Sequence, residues 1–163
     1  MSARGVLYVH SCPPALTPHV EWAVAAGVGG RVGLSWSDQP AAPGTLRAEV
    51  AWRSRPGTAG RFAAALRGWS LLRFEVTEDS SPGVDGERYS YTPTLGLFRT
   101  TVSANGDVMV GEDRLRVLLA SVRGGEALTA GLDSLLGTAW DNELERFRHA
   151  GDGAPVSWLH EVG

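Results

Sequence analysis

Apolar residues recur along this chain at two different spacings, and the switches between them mark the expected elements. Gly5-Val-Leu-Tyr-Val-His10 is apolar on both sides, as a central strand is. The prolines of His10–Leu16 block continuation of a ladder. Thr17-Pro18 then supplies an N-cap and a first-turn proline for a helix bearing Val20, Val24 and Val28, ended at Gly29-Gly30. Val32, Leu34 and Trp36 alternate with Gly33, Ser35 and Ser37, which predicts a strand over 31–37. Over 45–55 a second alternation sets Leu46, Ala48, Val50 and Trp52 against Arg47, Glu49, Arg53 and Arg55. A short helix over 58–68 carries Phe62 and Leu66, and a strand over 71–77 turns Leu72, Phe74 and Val76 inward. The order is strand, helix, strand, strand, helix, strand.

Past a polar loop at 79–86, Arg88–Tyr91 and Leu95–Ala104 read as strands broken at Pro93. Asn105-Gly106, between Val102 and Val108, is a strong hairpin signal, with Asp107–Val110 as the return strand. Asp113–Arg123 sets Leu115, Leu118, Leu119 and Val122 on one helical face. A leucine-rich stripe over 126–149 predicts one helix about 35 Å long that crosses the sheet and joins a continuous core. Val156, Trp158 and His160 alternate in the tail, as in a last short strand or an extended segment. The expected fold class is α+β: a ferredoxin-like βαββαβ half (5–77), extended by a β-meander and two C-terminal helices (87–150). A tail (151–163) completes one domain of 163 residues.

Composition narrows the function classes. With 43% hydrophobic and 20% charged residues the chain has the content of an ordinary globule. The lone Cys12 has no disulfide partner, and no Cys/His spacing fits a structural zinc site, so neither metal nor cofactor is expected. The opening residues are too few for a signal-peptide core, and no run approaches the roughly 20 apolar residues of a membrane span. These readings place the protein in the cytoplasm. All 15 basic residues are arginine, which excludes lysine Schiff-base and phosphate-loop chemistry. Residues 1–76 hold eight arginines against four acids, and 77–163 hold seven against fourteen. A net charge of −3 argues against nucleic acid, and the opposite signs of the halves suit packing against each other.

Candidate chemistry gathers first at His10, Ser11, Cys12, Thr17, His19 and Glu21, where a strand ends and a helix begins. A nucleophilic reading pairs a Cys12 thiolate with a histidine base and Glu21. A metal reading joins His10 to His19 or Glu21, but residues two apart on a helix diverge by about 200°. A packing reading gives His10 a loop carbonyl and sets Glu21 near the positive helix end. A second set, Arg47, Arg53, Arg55 and Arg73 with Glu49 and Glu75, shares the face of the sheet away from the first two helices. It offers an anion or partner surface, or an internally paired face. Of six tryptophans, Trp22, Trp36, Trp52 and Trp140 lie on apolar stripes and read as core, and Trp69 and Trp158 as contact anchors.

The segment Val6–Trp22, Val-Leu-Tyr-Val-His-Ser-Cys-Pro-Pro-Ala-Leu-Thr-Pro-His-Val-Glu-Trp, resembles the opening of an uncharacterised family of short actinobacterial proteins. The ending Trp140-Asp-Asn-Glu-Leu-Glu-Arg-Phe-Arg-His149 resembles the same family. The resemblance implies a domain of unknown function linked by gene neighbourhood to fatty-acid metabolism, and it brings no catalytic residues. Three function classes follow. The leading one is a non-catalytic binding or regulatory protein taking a small ligand or a protein partner. The others are a small hydrolase or thioester-handling enzyme centred on the His10–Glu21 loop, and a homo-oligomeric structural subunit.

Overall fold

The computed structural model describes residues 1–150. Thirteen elements run β1 (Ala3–Cys12), a 3-10 turn (Pro14–Leu16), α1 (Thr17–Val28), β2 (Ser37–Asp38), β3 (Leu46–Ser54), α2 (Thr58–Leu66), β4 (Arg73–Glu78), β5 (Gly86–Thr92), β6 (Gly96–Val102), β7 (Val108–Met109), α3 (Glu112–Ser121), α4 (Gly125–Leu136) and α5 (Thr138–Arg148). The strands form one seven-stranded sheet in the order β2-β3-β1-β4-β5-β6-β7, antiparallel throughout. The chain is therefore α+β, and its first half has the β-α-β-β-α-β connectivity read from the sequence. The β-meander follows, with Gly106 at φ 88 in the hairpin turn after Asn105.

Side-chain alternation along β1 divides the two faces. Leu7 and Val9 point with Phe74, Val76 and Trp52 into the main core, which α1 seals with Val20 and Val24 and α2 with Phe62, Ala63 and Leu66. Two close contacts tighten this face: the Phe62 ring lies over Gly27, and the Tyr89 hydroxyl over Gly60. The Glu78 carboxylate accepts the Gly57 N–H at the start of α2, a favourable place for an anion. Tyr8, His10, Arg73, Glu75 and Ser90 occupy the opposite face, where α5 lies with Leu144 and Phe147 fully buried.

Several expectations need correction. The face away from α1 and α2 is covered along its middle by α5. The 126–149 stripe is two helices, because Gly137 is left-handed at φ 72 and ends α4. A Cβ there would collide with the Phe98 ring. Neither α3 nor α4 has a buried residue, so only α5 of the last three helices seals the sheet. Residues 31–36 pair with no strand: Val32, Leu34 and Trp36 pack singly on the main core, and alternation there reports burial without a ladder. Thr17 is the first helical residue rather than the cap, and its hydroxyl donates back to the Pro14 carbonyl at 2.9 Å. Trp22, read as core, is 71% exposed, while Trp52 is buried and Trp36 and Trp140 are half-buried. Trp158 and the expected tail strand lie outside the described residues. Among the described residues no helix is long and apolar enough to cross a membrane.

Candidate functional site

Three distant segments converge on Glu75 between the sheet and α5. Glu75 stands in mid-β4 opposite Tyr8 of β1 and Ser90 of β5, its side chain completely buried. The His10 Nε2–H donates to its Oε2 at 2.7 Å, and Arg148 Nε donates to the same oxygen at 3.0 Å. Arg148 Nη2 and the Ser90 hydroxyl, the latter at 3.1 Å, donate to Oε1. Four donors fill the lone-pair positions a carboxylate offers, so Glu75 has no free site to accept a substrate proton. The His10 ring also stacks on Tyr8 at 6.1 Å between centroids.

Electrostatics keep the carboxylate charged. Burial alone would raise the Glu75 pKa, but the hydrogen bonds and charges of His10 and Arg148 outweigh it and hold the group well below the usual carboxylate range. Burial likewise disfavours the charged form of Arg148, yet Glu75 and then Asp141 push its pKa above the ordinary arginine value. Asp141, two turns earlier on the same face of α5 and partly exposed, accepts from Arg148 at 2.9 Å. Gln39 closes the end of the cluster, donating to the carbonyls of His10 at 2.7 Å and Phe147 at 3.3 Å. A buried ion pair with its hydrogen bonds satisfied is costly to break, and here it clamps α5 to the sheet.

The structure separates the six residues of the first candidate set. His10 faces α5, whereas Cys12 points to the opposite side, into the main core, where its thiol donates to the Pro13 carbonyl at 3.3 Å. Burial pushes the Cys12 pKa up to about 11, which leaves a protonated thiol at neutral pH. Ser11 accepts from Arg73 at 3.3 Å, and Thr17 is tied to its own turn. His19 packs between Trp22 and Trp69, at 5.6 and 5.5 Å between centroids, and Glu21 accepts the Trp36 indole N–H at 3.0 Å. Among the described residues no group of three or more His, Cys, Asp and Glu is placed to hold a metal ion.

The arginine set has mixed surroundings. Arg47 donates to the Ala150 carbonyl, two residues past the end of α5. Arg73 lies 3.6 Å from Glu143 and over the Phe147 ring at 4.7 Å. Arg53 is on the same face but beyond the reach of α5, and Arg55 falls just past β3. Sequence reasoning put Glu75 on this face and left Arg148 out, since nothing local marks one arginine in a charged helix as the one turned inward. The signal present was indirect: Arg148 belongs to the closing segment that carries the family resemblance, His10 belongs to the opening one, and the two meet at Glu75.

A family model described as protein of unknown function (DUF3145) matches residues 6–161. No curated protein and no solved structure matches the chain. With nearly the whole length covered by that one model, the chain belongs to the DUF3145 family.

Proposed function

We propose that the protein is a non-catalytic binding protein that works through protein contact, with the α3–α4 hairpin as docking element and a second copy of the chain as occupant. The carrying observation is that α3 and α4 bury no residue although Val117, Leu119, Leu132 and Leu136 are apolar and exposed. Helices of ten and twelve residues are marginal in water alone and draw their stability from tertiary packing. The two helices meet closely where Leu118 lies against Gly131, which leaves the outer apolar side chains for another surface to cover. Charge selects that surface. Helix α4 carries Glu126 and Asp133 and no basic residue, while α3 and its following loop carry Arg114, Arg116 and Arg123 against Glu112 and Asp113. A two-fold copy laying α3 on the other copy's α4 pairs opposite signs twice.

Light scattering over a range of concentrations tests this reading. The expected mass is twice 17.3 kDa for the wild type, falling to the single-chain value in Leu119→Glu/Leu132→Glu with its fold intact by circular dichroism. A wild type at single-chain mass throughout overturns it. An enzyme centred on the His10–Glu21 loop has less support, since those side chains diverge and the thiol is protonated. We read residues 1–163 as one domain with a ferredoxin-like first half, on the strength of its connectivity and the continuous sheet. A cytoplasmic setting fits the free, buried Cys12. The actinobacterial origin and the fatty-acid link implied by the resemblance belong to the same proposal, with the all-arginine composition in support of the origin.

A further inference from the structure

Arg4 and Arg53 are direct partners in the β1–β3 ladder, on the sheet face that α5 covers elsewhere. Like charges directly opposite each other destabilise a sheet, so this pair opposes folding where it stands. Asp79 answers only one of them, through Arg4 Nε at 3.0 Å. Among the described residues Arg53 has neither an ion pair nor a side-chain hydrogen bond. The next pair along the ladder on this face, Val6 and Ala51, is small and leaves a recess of about 370 Å³ between the guanidinium groups and the sheet. Gly5 and Trp52, the ladder pair between Arg4–Arg53 and Val6–Ala51, complete the lining, with the Trp52 side chain turned to the other face and the main core. Past Asp79 a second hollow of about 330 Å³ continues across β4 to β6, lined by the nine-tenths buried Arg88 and by Ser80 and Ser103.

We propose that this open end of the sheet is a binding site for a small oxyanion, a carboxylate or a phosphate monoester, held between Arg4 and Arg53. Guanidinium groups match planar and tetrahedral oxyanions with paired N–H donors, and an anion between two opposed arginines removes the repulsion between them. Asp79 fixes the Arg4 side chain, and Arg53 presents its full set of donors. The floor of Val6 and Ala51 admits the ligand without obstruction. The site is separate from the α3–α4 hairpin and does not depend on oligomeric state.

Nuclear magnetic resonance titrations at constant ionic strength test the site, with inorganic phosphate in one arm and succinate in the other. Saturable shifts confined to Arg4, Gly5, Arg53 and Asp79 are expected in at least one arm, and the tighter arm names the source of the oxyanion. Arg53→Gln weakens that binding at least tenfold, whereas Arg47→Gln, on the same strand but bonded to the Ala150 carbonyl, leaves it unchanged. Without ligand and at low salt, Arg53→Gln raises the unfolding midpoint by relieving the opposed charges. The proposal is overturned if neither probe saturates, or if wild type and Arg53→Gln shift equally.

Discussion

Glu75 holds a charge in a place with no solvent, and its partners decide the outcome. Removing the charge while leaving Arg148 buried strands a cation, so Glu75→Gln is expected to cost about 3–5 kcal/mol in urea unfolding at neutral pH. Replacing the pair together, Glu75→Leu with Arg148→Met, should recover most of that loss, because an apolar pair of similar volume has no desolvation to offset. The sign of the pH dependence follows from the depressed Glu75 pKa. Its stabilisation is complete above the unfolded value of about 4.3 and fades as pH falls below it toward the folded value. The wild type should therefore lose more stability than Glu75→Gln between pH 7 and pH 3. Cys12 behaves oppositely. Its pKa, up to about 11, means stability present below the unfolded thiol value and lost as pH rises toward 11. Native Cys12 should accordingly alkylate at pH 8 roughly a hundredfold more slowly than the urea-unfolded chain. His10 and Cys12 were legible as residues of interest, but their divergence was not. A register shift between Val9 and Cys12 separates them, and no sequence spacing reports it.

Helix α5 exists as a separate element because Gly137 turns the chain while the Phe98 ring occupies the space of a side chain. Gly137→Ala meets both a left-handed backbone and the ring, and should cost about 1–3 kcal/mol by thermal unfolding. Gly29→Ala meets the same backbone demand, at φ 77, in open space, and should cost only about 1 kcal/mol. Equal costs would mean that the Phe98 contact contributes nothing. A leucine stripe carries on past a glycine without interruption, so the break was invisible in the periodicity. The hairpin at Asn105-Gly106 was visible because its turn closes on a left-handed residue, Gly106 at φ 88, a conformation that glycine adopts without strain.

The sheet separates two apolar layers of unequal depth. α1 and α2 seal a large core, whereas α5 covers a smaller polar-centred layer pinned by the Glu75–Arg148 pair. This inequality predicts stepwise loosening. In Arg148→Ala, hydrogen exchange should accelerate in α5 and leave α1, α2 and β1 protected. Equal acceleration in all four would make the molecule one cooperative unit. The charge division along the chain has its counterpart in Arg4–Asp79 and Arg73–Glu143, which join an arginine of the basic first half to an acid of the second, whereas the Glu75–Arg148 clamp joins the halves with the signs reversed.

The amino-acid order by itself determined the α+β class, the β-α-β-β-α-β opening, the meander and the inward residues of β1, β3 and β4. Those follow from alternation and turn chemistry, which act over a few residues. Only the folded arrangement decided that α5 lies on the second face and that Arg148 reaches Glu75, 73 residues away. It alone set Arg4 opposite Arg53 and left α3 and α4 without cover. Contacts of that kind depend on strand order and on which surfaces remain after the core closes, and neither quantity is written in any local stretch of sequence.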